Sequence, residues 1–192
     1  MFALLIGMEP DFGQVLCILI IVMLLLFMAG LDRKYIGIVL LSSAPMLYFL
    51  VWRVPYRRAR VLAWLKALRD PLSADYHTRQ TAVAVGRGGL LGVGFGKSRQ
   101  KFLFVPEIIG DSIFALICEE LGFIGALLIL AAYVGYLVLG AKIAIKAADR
   151  GGFYLGMGIT LMLALQAFVN MSASLSLVPN KGLTLPFISQ GG

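Results

Sequence analysis

Charge is what this chain has least of. Of its 192 residues only 14% are Asp, Glu, Lys or Arg, against about 25% in an average soluble domain, so an ordinary water-facing globule is excluded. Cysteine is nearly absent too. Cys17 and Cys118 are the only two, and neither has the spacing of a metal or redox motif, so both are expected as small buried hydrophobes. One histidine, His77, is present. No Lys or Arg precedes Arg33, so the opening residues lack the basic start of a secretory signal. Both ends, the apolar Met1 to Gly7 and the closing Gln190-Gly191-Gly192, are expected to be cuts in a longer protein.

What fills the chain instead is apolar. Hydrophobic residues make up 60% of it and the mean hydropathy is +0.91, which points to an all-α, polytopic membrane helix bundle. A span needs about 20 apolar residues. Four runs meet that length, at about 12–30, 35–52, 113–141 and 153–178, with a large outer loop at about 53–110 holding short amphipathic helices. Leu31 to Lys34 and Lys142 to Gly152 are short, net-positive and separated by two spans, which sets them together on the cytoplasmic side. The long loop then faces outward although it holds eleven Lys or Arg against three acids, because long loops are largely exempt from the positive-inside rule.

Within that loop Val61, Trp64, Leu65 and Leu68 recur at helical spacing, with Arg58, Arg60, Lys66 and Arg69 around them. Such a helix fits the membrane interface, either gripping a headgroup or merely anchoring the loop. After Asp70-Pro71, a second short helix is expected from Tyr76 to Val85. The run Gly86 to Ser98 is glycine-rich but is no nucleotide motif. A P-loop needs Gly six residues before its Lys, where Leu91 stands, and Leu91, Lys97 and Arg99 occupy the last Gly of each dinucleotide register. Two readings remain open there: an anion nest with Arg87, Lys97, Arg99 and Lys101, or turns that fold the loop tightly. The net charge of +7 raises nucleic acid as a partner, but no nucleic-acid module accompanies it and that partner is set aside.

The chemistry is placed where a basic loop runs into a carboxylate, Asp111, at the mouth of the third apolar run, since a carboxylate at a membrane edge is costly unless paired or working. Glu119 lies eight residues on, about 12 Å deeper and roughly 80° around a helix. Asp111 and Glu119 therefore cannot divide acid and base duties as glycosidase pairs do across roughly 5–10 Å. Glu119 and Glu120 are expected as buried partners of a cation or polar helix. In the fourth run Gln166, Asn170, Ser172, Ser174, Gly156 and Gly158 suit close packing with interhelical hydrogen bonds.

Taken together, Glu9-Pro-Asp-Phe-Gly13, Pro55-Tyr-Arg-Arg-Ala-Arg60, Asp70-Pro-Leu72, Gly88-Gly89 with Gly92-Val-Gly94, Ser98-Arg-Gln-Lys-Phe102, Pro106-Glu107, Asp111 with Ile113-Phe-Ala115, Glu119-Glu-Leu-Gly122, and Lys181-Gly182 with Leu185-Pro-Phe-Ile-Ser189 and Gly191-Gly192 resemble the SEDS family. These are the shape, elongation, division and sporulation cell-wall polymerases. The pieces follow family order across nearly the whole chain, and Pro55 to Arg60 and Ser98 to Phe102 are similar to the FtsW-like division branch. The resemblance is to the C-terminal half of a member.

It implies a multi-pass protein of the bacterial cytoplasmic (inner) membrane that polymerises lipid II, an undecaprenyl pyrophosphate disaccharide peptide, into glycan strands at the outer face during cell division. Asp111 would be the essential acid, a general base or the ligand of a divalent cation, Mg or Mn. Arg58, Arg99, Lys101, Glu107 and Lys181 would bind substrate. A class B penicillin-binding transpeptidase and other divisome membrane proteins would be partners, and this segment alone would be inactive. Members usually carry His-Thr-Asp-Phe around the acid, where this chain has Ile109-Gly-Asp-Ser112, and a Gly-Tyr-Gln run where it has Asp75-Tyr-His77. Two other readings stay open: a flippase of the same lipid with a polar path through Glu119, Glu120, Gln166 and Asn170, and a non-catalytic divisome scaffold.

Overall fold

A computed structural model describes residues 12–69, 76–97, 112–179 and 183–189. Among them every regular element is helical, as the long apolar runs require. The helices are α1 (Phe12–Met28), α2 (Arg33–Trp52), α3 (Pro55–Arg69), α4 (Tyr76–Gly88), α5 (Ile113–Ile145) and α6 (Arg150–Ser174). By length and composition α5 and α6 are able to cross a membrane, and α1 is apolar over a shorter stretch. Helix α2 begins with Arg33-Lys34 and carries Pro45 in its interior.

Helices α5 and α6 pack antiparallel, and small residues set their approach. Added at Gly140, a Cβ would come 3.1 Å from Cβ of Thr160, and at Gly156 it would come 3.2 Å from Cβ of Ala144. Without a hydrophobic force between helices in lipid, such close backbone approach supplies the attraction. Ala164 and Ala167, 2% and 0% exposed, continue that seam. The turn between the two helices is closed by Asp149, whose carboxylate accepts from the amide of Gly152 at 3.0 Å, satisfying one of the helix's orphan donors. Helix α1 lies on α6, with Cδ1 of Leu25 only 3.5 Å from where a Cβ on Gly158 would stand.

Helix α5 is not the continuous third span the apolar run suggests. At Gly122 the backbone takes φ 67° and ψ −163°, a conformation open essentially to glycine alone, and the helix breaks there. Its 23 residues from 123 to 145 extend about 35 Å, enough by themselves for an apolar core of about 30 Å. The segment 113–121 is a separate half-helix. Phe114 and Cys118 of that half share one cavity of about 330 Å³ with Phe123, Leu127 and Leu130 of the other. Along an unbroken helix Phe114 and Leu130 would stand about 24 Å apart.

A break leaves backbone groups without partners, which is costly in an apolar setting. The glycine-rich run supplies those partners. The amides of Val93 and Gly94 donate to the carbonyls of Glu119 and Glu120 at 3.0 and 3.1 Å, and the amides of Phe123 and Ile124 donate to Gly89 and Leu90 at 2.9 and 3.3 Å. Glycine is needed on both sides of this joint. At Gly92 (φ +79°) a Cβ would overlap the Glu120 carbonyl, and at Gly122 it would overlap the Gly92 amide. The run Gly86 to Lys97 is therefore a plug for the helix break. The alternative of an anion nest fails over residues 92–94, since those amides are already spent, that of Gly92 on the Gly88 carbonyl at 2.7 Å.

Candidate functional site

Two chain segments enter the α5–α6 pair from the same end. The first is Ser112 with the half-helix 113–121: Ser112 is 2% exposed, Phe114 3% and Ala115 1%. The second is the non-helical stretch 183–189, anchored by Leu185 at 0% exposure. Phe114, Cys118, Tyr133, Ala167, Met171 and Leu185 form one core cluster. The residues just after Asp111 and those just after Lys181 are thus brought together, although Asp111 and Lys181 themselves lie outside the described residues. So do Arg99, Lys101 and Glu107.

The stretch 183–189 is held by side chains reaching from the helices to its backbone. Asn170 donates to the Leu183 carbonyl at 2.5 Å, Gln166 donates to the Thr184 carbonyl at 3.1 Å, and the Tyr133 hydroxyl donates to the Pro186 carbonyl. These contacts measure how far the stretch descends. Asn170 and Gln166 lie four and eight residues before the end of α6 and Tyr133 eleven beyond the break, or about 6 Å, 12 Å and 16 Å. Gln166 and Asn170 thus donate to loop carbonyls from within α6. Sequence reasoning missed Tyr133 altogether, because a tyrosine within an apolar run carries no sign of which carbonyl its hydroxyl will meet.

Of the expected substrate-binding residues, Arg58 is the one among the described residues. It is exposed, and its guanidinium sits 5.0 Å from the ring centre of Trp52, a cation–π distance. Its helix is tied to the site's end of the bundle through Trp64. Trp64 Nε1 donates to the Ser176 carbonyl at 3.0 Å, and Ser176 holds φ +61° in the turn after α6. Trp64 of the expected stripe is hence spent on protein rather than on lipid. Leu62 and Leu65 are exposed while Trp64 is half-buried.

Glu119 and Glu120 stand at the helix break, 1% and 8% exposed. Their main-chain carbonyls bind the plug, and Oε1 of Glu120 has no hydrogen-bond partner among the described residues. Their place at the joint gives them a structural task that sequence spacing alone did not assign. Among the described residues no three His, Cys, Asp or Glu side chains gather as a metal-binding group.

The profile of the cell cycle protein family FtsW/RodA/SpoVE matches residues 1–192. A probable peptidoglycan glycosyltransferase FtsW of Geobacter metallireducens is 41% identical over 184 residues, covering 96% of this chain and 49% of the relative. Its counterpart in Thioalkalivibrio sulfidiphilus is 38% identical over 193 residues, covering 99% and 48%. The chain spans about half the length of the relatives it matches. Among solved structures, a chain of a peptidoglycan synthase complex described as coordinating polymerization and crosslinking superposes with a TM-score of 0.72 at 29% identity, over 94% of this chain and 50% of that one.

Proposed function

From the premise that this chain belongs to the FtsW/RodA/SpoVE family of cell cycle proteins, and is membrane-associated as its apolar helices and its relatives indicate, we propose that it carries the acid-bearing half of a peptidoglycan glycosyltransferase. The reaction joins lipid II units into glycan strands at the outer face of the cytoplasmic membrane during division. The observation that carries this reading is the shared core cluster of Phe114 and Leu185, which roots the segments following Asp111 and Lys181 in one core.

In the proposed chemistry Asp111 takes the proton from the attacking sugar hydroxyl. The hydroxyl oxygen bonds to the donor's anomeric carbon, and the bond to the lipid pyrophosphate breaks. General-base assistance of this kind is worth on the order of 10²–10⁴ in rate. Lys181, Arg99, Lys101 and Arg58 meet the growing negative charge of the leaving pyrophosphate, a contribution that is often the largest in a water-poor site. Glu107 is proposed as a hydrogen-bonding contact to substrate. A divalent cation, Mg or Mn, held by Asp111 and the pyrophosphate is the second form of this proposal. The described residues offer no closed donor set for it, so no step is routed through a metal.

A class B penicillin-binding transpeptidase is the proposed partner, supported by the complex in which the solved neighbour occurs. The four-span arrangement, with the Met28 end of α1 and the Arg150 end of α6 toward the cytoplasm, belongs to the same proposal. The flippase reading loses ground because two of its four path residues, Gln166 and Asn170, are committed to loop carbonyls. The test separates binding from turnover. With Asp111→Asn, lipid II affinity should stay within about threefold while polymerisation falls by on the order of 10²–10⁴; equal loss of both would reject a base role.

A further inference from the structure

Opposite the end that holds the candidate site, two short turns bring cations together. Leu25 of α1 lies against α6, its Cδ1 3.5 Å from where a Cβ on Gly158 would stand. From that contact the Arg150 start of α6 is eight residues away, about 12 Å, and the Met28 end of α1 three residues, about 4.5 Å. With α1 antiparallel to α6, as the four-span arrangement requires, the turn after α1 makes up the difference. Arg33 and Lys34, which open α2, then stand level with Arg150. Lys142 and Lys146 close α5 at the same end, and all five cations are exposed. Two acids accompany them, Asp32 and Asp149, but Asp149 is spent on the Gly152 amide. Among the described residues none of the five has an ion pair.

This crowding is costly to the fold. Arg33 and Arg150 are the first residues of α2 and α6, whose first turns hold no acid, and a cation there runs against the helix dipole. Lys142 and Lys146, four apart on α5, repel one another. Orientation by positive charge asks only for a count of cations on one side, so it does not account for their convergence. Around the cations the surface is that of a bilayer edge. Tyr35 is 57% exposed and Tyr154 sits edge-on to Phe153 with centroids 5.1 Å apart, rings of the kind found at headgroup level. Just inside them Met28, Ile143, Ile145 and Leu155 are exposed, which suits acyl chains and gives a soluble anion nothing to hold.

We infer that this end of the bundle binds an anionic phospholipid carrying two phosphates, a cardiolipin. One phosphate meets Arg33 and Lys34 and the other meets Lys146 and Arg150. The packing of α1 on α6 sets those two groups about 8–10 Å apart, one interhelical distance. Basic pockets between spans at the cytoplasmic face recognise such headgroups, and the phosphates relieve the repulsion among the five cations.

The inference rests on the four-span arrangement, and the test keeps the two apart. The full-length protein, with Cys17 and Cys118 replaced by Ala, is placed in phosphatidylcholine nanodiscs with a single cysteine at Ala148, in the α5–α6 turn, or at Leu128, 66% exposed within α5. A water-soluble maleimide dye should label Ala148→Cys and not Leu128→Cys; equal labelling would overturn the span and the inference with it. Energy transfer from the dye at 148 to acceptor-labelled cardiolipin is then displaced with unlabelled lipids. Cardiolipin should outcompete phosphatidylglycerol at least fivefold, and phosphatidylglycerol should outcompete phosphatidylcholine. Each cation at a membrane surface contributes about fivefold in affinity. Arg33→Gln with Lys34→Gln, and Lys146→Gln with Arg150→Gln, should therefore each lower the cardiolipin preference at least fivefold. Lys66→Gln with Arg79→Gln removes the same net charge from exposed positions on α3 and α4 and should leave the preference within about twofold. Equal displacement by all three lipids would overturn the inference and leave the patch to an acidic protein segment. Parity of cardiolipin with phosphatidylglycerol would overturn the two-phosphate ligand. A loss from only one of the two turn pairs, or an equal loss from the α3–α4 pair, would overturn the shared site.

Discussion

Replacing Gly122 by Ala strikes the joint on which the fold turns. The new methyl would stand 2.7 Å from the carbonyl carbon of Leu90 and would overlap the amide of Gly92, while the backbone must hold φ 67°, ψ −163°. That conformation alone costs a non-glycine residue about 1–3 kcal/mol. Moving the plug aside gives up the four hydrogen bonds from Val93, Gly94, Phe123 and Ile124, each worth about 1 kcal/mol net. A loss of about 5 kcal/mol is comparable to the whole stability of many domains. At about 2–4 °C per kcal/mol for this size, the thermal midpoint in detergent should drop by about 10–20 °C. Gly135→Ala is the control, because nothing lies within 4 Å of its Cβ and no positive φ is recorded for it; in a helix interior that change should stabilise by about 0.5–1 kcal/mol. Thermal unfolding of both variants followed by tryptophan fluorescence decides the matter. A Gly122→Ala midpoint within 2 °C of wild type would refute the plugged break.

Other expectations follow from single contacts. Tyr133→Phe leaves the buried Pro186 carbonyl without its donor and should cost about 1–3 kcal/mol, read as a lower thermal midpoint with unchanged helix content by circular dichroism; no shift would place that hydroxyl elsewhere. Asp149→Ala removes the cap on Gly152 and should cost about 1 kcal/mol, whereas Asp149→Asn should cost much less, since its side-chain oxygen still accepts. Equal effects of those two variants would show that charge rather than capping matters at the turn.

How far the chain explains itself differs from element to element. Apolar runs placed α1, α2, α5 and α6 to within a few residues, and i, i+3, i+4 spacing placed α3, because those signals are local. The break at Gly122 was not legible. Glu119-Glu-Leu-Gly-Phe contains a glycine like many others, and only the arrival of residues 89–94 from elsewhere in the chain selects its left-handed conformation. The same distance hid the purpose of the Gly86 to Lys97 run. Its spacing ruled out nucleotide motifs, yet the carbonyls its amides would meet lie about 26 residues further along. Gln166 and Asn170 were legible as hydrogen bonders in an apolar setting, but their partners are loop carbonyls that re-enter from beyond α6. For the site, family motifs singled out Asp111 and Lys181 where composition and spacing alone could point only to a carboxylate beside a basic loop. The described residues add that Phe114 and Leu185, three and four residues further along the chain, belong to one core.

Glycan synthesis from purified lipid II tests the central claim most directly, using the protein with the proposed transpeptidase partner, as wild type and as Asp111→Asn matched for thermal midpoint. The account predicts long strands from wild type and none above background from the variant, with lipid II still bound. Equal strands from both would remove Asp111 from the chemistry, and translocation of lipid II by both without any polymer would contradict the polymerase reading in favour of a flippase.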